Sequence, residues 1–125
     1  MILVHRIPEY LLVQLACIRT GAVLVPAPAN IGPSDLHRRI SACKPACFVA
    51  GGGVIENDLL NVIDQFSSST QNKVKCRLMV NRMKETNRVG WLSYEELFRE
   101  SSNEHQASFN NLTHIDILWL QIKCL

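Results

Sequence analysis

The chain lacks an excess of charge of either sign: 13 Lys and Arg stand against 11 Asp and Glu, a net +2. That balance gives no electrostatic ground for binding nucleic acid or an anionic membrane surface. A long apolar run is also missing. Residues 115–122 are apolar, but they fall well short of the ~20 residues that a spanning helix needs. Residues 1–4 form an apolar run too short for a secretory signal, and no basic segment precedes them. No internal repeat and no low-complexity tract is present. The five cysteines are odd in number and have no framework spacing. This excludes a disulfide-stapled mini-domain and points to reduced thiols inside a cell. Cys43 and Cys47 have no second Cys/His pair at suitable distance, so no metal site is expected, zinc usually requiring four ligands.

What is present is ordinary globular material. An apolar fraction of 47% over 125 residues supports one packed domain at most. Residues 1–4 read as a short buried strand. Pro8 suits a first helical turn, where its missing N–H costs nothing, and Gly21 supplies a left-handed stop. Between them Leu11, Leu15 and Ile18 recur at helical spacing, with Leu12 and Ala16 widening the expected apolar face. Val23, Leu24 and Val25 read as the next buried strand, ended by Pro26 and Pro28.

A second unit follows, with Ser34 as the expected N-cap of a helix that buries Leu36 and Ile40. Pro45 ends that helix, and residues 46–50 read as a third strand. Gly51, Gly52 and Gly53 then turn into a helix whose apolar stripe is Ile55, Leu59, Val62 and Phe66. Residues 67–72 make a polar loop, residues 77–80 a fourth strand and residues 81–90 a long charged loop. Ser93 and Glu96 match a capping box opening a short helix, with Leu97 and Phe98 expected inward. Residues 101–111 are polar and irregular, and residues 115–122 read as a further strand. Strand and helix in alternation predict an α/β fold with a mostly parallel sheet and helices on both faces.

Several segments, in order, resemble a known family. His5-Arg6-Ile7-Pro8-Glu9-Tyr10 is similar to the strand-to-helix turn of the AMP-forming acyl-CoA synthetases, members of the adenylate-forming superfamily. Ala16-Cys17-Ile18-Arg19-Thr20-Gly21-Ala22 resembles that family's helix end, and Val25-Pro26 its following strand. Ser34-Asp35-Leu36, Arg39-Ile40 and Val49-Ala50-Gly51 fit the next unit, and Gly90-Trp91-Leu92 resembles a motif of the medium-chain branch. The resemblance covers roughly residues 1–106, read as a partial N-terminal subdomain, with residues 107–125 as a divergent tail. It implies a ligase of fatty acid metabolism that joins a small carboxylic acid to ATP, with Mg²⁺, and then forms the coenzyme A thioester. It also implies a mitochondrial matrix location.

The departure lies after Ala107. There the family pattern calls for a strand and a Thr-Ser-Gly-Thr-Thr-Gly-like phosphate loop, whereas this chain has Asn110-Asn111-Leu112-Thr113-His114 and an apolar tail. The tail reads as foreign to the family, as an altered splice or a misjoined gene would give. The family's adenine pocket, ribose-binding acid and lysine-bearing C-terminal domain have no counterpart here either. The chain alone is therefore expected to be inert, to bind none of these cofactors and to contain no catalytic residue. A second expectation, of a different class, is a non-catalytic fragment that associates with a partner through an exposed sheet edge or apolar face.

Individual candidates are few. Asn30 follows the strand that ends at Pro26, where open α/β sheets bind ligands. Medium-chain relatives have a Gln there that lies near coenzyme A, so Asn30 is the expected coenzyme A contact, shorter by one methylene. Gly51-Gly52-Gly53 lacks the Gly-x-Gly-x-x-Gly spacing of a dinucleotide loop and reads as a plain turn. His5, His37, His105 and His114 share no motif with a nucleophile or acid, and His37-Arg38-Arg39 reads as a solvated helix face. Asn111-Leu112-Thr113 is a glycosylation sequon with meaning only in a secreted chain, and Cys124 does not form a prenylation box. A free-standing flavodoxin-like module would need a phosphate-binding loop after the first strand, and residues 5–8 offer none.

Overall fold

A computed structural model describes residues 1–52, 55, 57–72, 74–81 and 88–101. The expectations for His105, His114, Asn111, Cys124 and the strand at 115–122 lie outside the described residues, as does most of the charged loop at 81–90. The elements run β1 (Ile2–Leu3), α1 (Pro8–Thr20), α2 (Pro33–Cys43), β2 (Cys47–Gly51), α3 (Asn57–Ser68), β3 (Cys76–Val80), β4 (Leu92–Ser93) and α4 (Tyr94–Glu100).

The four strands form one sheet in the order β1-β2-β3-β4, every neighbouring pair parallel. A bridge from Ile2 to Pro26 adds the segment after α1 on the far side of β1. The chain therefore steps one way from β1 through α1 and the other way through α2 and α3. That reversal puts helices on both faces and creates a switch point beside β1. Alternation along the strands sorts the core. Leu3, Phe48, Ala50 and Met79 meet Leu36 and Ile40 of α2 and Leu59, Leu60 and Ile63 of α3. Ile2, Val4, Val49, Leu78 and Val80 meet Val13, Ala16 and Cys17 of α1 and Tyr94 of α4.

The helix ends follow local chemistry. Pro8 opens α1, and Gly21 closes it at φ 68°. There the Gly21 and Ala22 N–H groups donate to the Ile18 and Cys17 carbonyls. Glu9 in the first turn and Arg19 in the last suit the helix dipole. In α4 the Glu96 N–H donates to Ser93 Oγ at 3.3 Å, the first half of the expected capping box.

Four expectations need correction. The α1 face inferred from Leu11, Leu15 and Ile18 is turned from the buried one: Leu11 is 56% and Ile18 69% exposed, while Ala16, expected at its border, is buried together with Val13 and Cys17. An apolar helix surface with no polar stripe gives periodicity nothing to choose by. Val23 is 87% exposed, because the segment it begins lies at the sheet edge and makes only a single bridge. The N-cap of α2 is Gly32, not Ser34, because Pro33 itself occupies the first turn with its φ already set. In α4 Leu97 packs against the core as expected, but the buried residue is Tyr94, and Phe98 is 39% exposed and stacks on the Tyr94 ring at 5.9 Å. The α3 stripe holds in outline: Ile55 and Leu59 are buried and Val62 and Phe66 pack at its border, with Leu60 and Ile63 deepest.

Candidate functional site

The carboxyl ends of the strands gather His5 and Arg6 after β1, the turn at 28–31, Gly51 and Gly52 at the end of β2, and Asn81 after β3. Beside the switch point, this is the edge where open α/β sheets place ligands. His5 and Arg6 are exposed there, held by a tight turn in which the Ile7 N–H donates to the His5 carbonyl at 2.8 Å. Asn30 is exposed in a turn closed by the Ile31 N–H on the Pro28 carbonyl at 3.2 Å. Its amide can both donate and accept.

The glycine turn is built differently from a phosphate cradle. The Gly52 N–H donates to the Val80 carbonyl at 2.8 Å, which continues the ladder rather than facing a ligand. The Gly51 carbonyl accepts from the Ile55 N–H at 3.1 Å. A side chain at Gly52 would collide with Asn81 Oδ1 and lie 3.0 Å from Met79 Cγ, so the turn is already filled.

Asn81 leads to a group that motif reading passed over. Its N–H donates to Glu95 Oε1 at 2.7 Å, while its own Oδ1 is buried without a hydrogen-bond partner. The Tyr94 hydroxyl is likewise buried and unpartnered. Burial, and then the charges of Glu9 and Glu95, push the phenol up to about 12. The group holds a neutral donor and an acceptor beside two carboxylates. That is an unfavourable setting for a triphosphate, and these residues do not fit ATP phosphates. Sequence reasoning had only the capping box here; the neighbourhood of Tyr94 depends on α1 and α4 sharing one sheet face.

At the opposite end of the sheet lies the densest polar cluster among the described residues. Asp64 on α3 accepts from Arg77 Nη1 and Trp91 Nε1 through Oδ1, at 2.6 and 2.8 Å, and from Arg88 Nε through Oδ2 at 2.6 Å. Arg88 also donates to Asn61, and the Arg77 guanidinium lies 5.9 Å from the Trp91 ring centroid. Gly90 stands at φ +78° with that guanidinium where a side chain would go. Every charge here has an answering partner, so the cluster reads as a clasp holding α3 to β3 and to the start of β4. It gives the Gly90-Trp91-Leu92 motif a structural purpose that the sequence could not supply, since its acid lies 27 residues earlier.

The other candidates stay apart. His37 is exposed on α2, as expected, and Arg38 forms an exposed pair with Asp35 at 2.6 Å. The Cys43 thiol is exposed and donates to the Arg39 carbonyl at 2.6 Å. Among the described residues, no cluster of three or more His, Cys, Asp or Glu is placed to hold a metal. Among them, too, no helix is long and apolar enough to cross a membrane.

Comparison with known proteins gives consistent matches. The chain is 33% identical over 106 residues to mitochondrial acyl-coenzyme A synthetase ACSM4 of Rattus norvegicus, covering 85% of this chain and 17% of that protein. It is 35% identical over 109 residues to the ACSM4 protein of Homo sapiens, covering 85% of this chain and 17% of that protein. It is 31% identical over 107 residues to mitochondrial acyl-coenzyme A synthetase ACSM5 of Homo sapiens, with 86% and 17% covered. The chain thus spans 17% of the length of these relatives. No family model matches it.

Proposed function

The chain corresponds to one segment of the medium-chain acyl-coenzyme A synthetase family, and from that premise we propose that it is part of such an enzyme's large domain and not a catalyst by itself. In this reading residues 1–106 are the N-terminal subdomain and residues 107–125 a divergent tail. The parent reaction activates a medium-chain carboxylate with ATP and Mg²⁺ and passes the acyl group to the coenzyme A thiol. The location, by the same reading, is the mitochondrial matrix. The observation that carries it is the relationship along 85% of the chain. The glycine turn supports the inert half of the proposal, since the Gly52 N–H is already used by Val80 and Asn81 fills the space above it.

The test is direct. Purified chain is mixed with ATP, Mg²⁺, octanoate and coenzyme A, and AMP is measured. The expected result is no AMP above the protein-free blank; turnover overturns the reading. Asn30 is assigned the coenzyme A side of the parent site. A chimera of rat ACSM4 in which residues 1–101 replace the matched segment tests this assignment. There Asn30→Ala should raise KM for coenzyme A roughly three- to tenfold with little change in kcat, the worth of about one hydrogen bond. An unchanged KM removes Asn30 from the site.

A second reading rests on a specific observation. Leu11 and Ile18 on α1 and Val23 in the edge segment after it are large apolar residues left exposed. We infer that they pack against other parts of a full-length relative, so that the free chain would associate with one. Co-purification with rat ACSM4 is the expected outcome, and a monodisperse monomer in the mixture contradicts it.

A further inference from the structure

We propose that Cys47 and Cys76 are a peroxide-sensitive thiol pair that closes to a cross-strand disulfide. The two residues are register partners across the parallel β2–β3 ladder. Neighbouring strands lie ~4.7–4.9 Å apart, within the ~4.4–6.8 Å that a disulfide spans between Cα atoms. Alternation puts both side chains on the α1 face: Val49 and Leu78, two residues on along each strand, pack there against Val13 and Ala16. Both thiols are free. Each is also the first residue of its strand, where the ladder can draw in without disturbing its centre.

The pair is reachable although Cys76 is buried. Cys47 lines a cavity of about 510 Å³ between the end of α1 and the starts of β1 and β2. Cys76 lines a separate, smaller cavity of about 250 Å³ beside Arg77 and Gly90. The two thiols are unequal: the neighbouring Cys76, and then burial, pushes the Cys47 thiol up, while the neighbouring Cys47 lowers the Cys76 thiol; the Cys47 thiol itself donates to the Phe48 carbonyl at 3.8 Å. Cys76 is therefore the more readily deprotonated of the two and the one assigned the first attack.

The chemistry balances with hydrogen peroxide as the oxidant. The Cys76 thiolate attacks one peroxide oxygen. An S–O bond forms, the O–O bond breaks, and the departing hydroxide takes up a proton to become water. The Cys47 sulfur then attacks the Cys76 sulfenic sulfur. An S–S bond forms, the S–O bond breaks, and the Cys47 proton leaves with the hydroxyl as a second water. Two thiols are oxidised by two electrons and one peroxide is reduced to two waters.

The competing thiols are placed less well. Cys17 and Cys43 also line the larger cavity, but Cys17 sits on α1 and Cys43 is exposed with its thiol turned to its own helix carbonyl. The proposal does not depend on the enzyme reading above. The full chain is treated with one equivalent of hydrogen peroxide, alkylated and mapped without reduction. Before alkylation the expected product is 2 Da lighter and returns to the starting mass with dithiothreitol; after alkylation it maps with a Cys47–Cys76 crosslink. A dominant crosslink between any other two cysteines overturns the proposal. So does oxidation that stops at sulfinic acid, or the absence of any 2 Da loss. As a second arm, Cys43→Ser should leave the crosslink intact and Cys47→Ser should abolish it. The wild-type map alone decides the matter if the latter variant fails to fold.

Discussion

The two faces of the sheet are finished to different degrees. On one, α2 and α3 bury Leu36, Ile40, Leu59, Leu60 and Ile63 and turn polar surfaces outward, and the Asp64 clasp ties the layer to β3. On the other, α1 buries Val13, Ala16 and Cys17 yet leaves Leu11 and Ile18 in water. The first face is complete with these residues alone. The second leaves two large apolar side chains on the outer surface of its helix. The difference teaches where a larger assembly would add material: over α1 and its edge segment, not over α2 and α3.

The largest expected effect tests the finished face. Phe48 is fully buried and meets Phe66 edge-on at a centroid distance of 6.3 Å. Phe48→Ala should cost about 3–5 kcal/mol in urea unfolding, the range for a large aromatic removed from a core. A cost below ~1 kcal/mol would mean that this face is not packed as described.

The α1/α4 face supplies a pH signature. The Tyr94 phenol is raised from its ordinary value of 10.0 to about 12, chiefly by burial and then by Glu9 and Glu95. The folded state therefore keeps its proton where the unfolded state loses it. Stability is unaffected below pH 10 and falls as pH rises from 10 towards 12, by up to about 2–3 kcal/mol. In Tyr94→Phe that loss should disappear. Because the hydroxyl has no partner, the variant should be as stable as the parent at pH 7 or slightly more so. An equal alkaline loss in both proteins would show that Tyr94 is not the group responsible.

The Asp64 clasp comes next. Asp64→Asn keeps the shape but removes the charge that answers Arg77 and Arg88. The carboxylate is 26% exposed, so screening reduces its worth, and a loss of about 2 kcal/mol is expected. The same change should loosen the Gly90-Trp91 turn, read as a red shift in tryptophan emission. A loss below ~0.5 kcal/mol with unchanged emission would reduce the clasp to a surface ornament.

These contrasts show which parts of the fold could be read from the sequence. Pro8 and Gly21 marked both ends of α1 because their backbone chemistry is local. The α3 stripe and the Ser93 cap were legible for the same reason, as was the parallel alternation. The orientation of α1 was not, because Leu11 and Ile18 compete with Val13 and Cys17 and only tertiary packing decides between them. The Asp64 acceptor of Trp91, the Tyr94 surroundings and the Cys47–Cys76 pairing each depend on strand register or shared face, which spacing along the chain does not encode.

The smallest expected effect bears most on the comparison. Leu11→Ser combined with Ile18→Ser changes two exposed residues of the free chain. Each should alter stability by no more than about 0.5 kcal/mol, and solubility should rise. In the rat ACSM4 chimera the outcome should reverse. If the outer face of α1 is covered there, burying two hydroxyls where apolar groups belong should cost several times more than in the free chain. A lowered melting temperature of the chimera, set against an unchanged one for the chain, would establish that α1 is sandwiched. Equal small effects in both would mean that the exposed stripe stays exposed, and that the asymmetry between the two faces reflects composition rather than assembly.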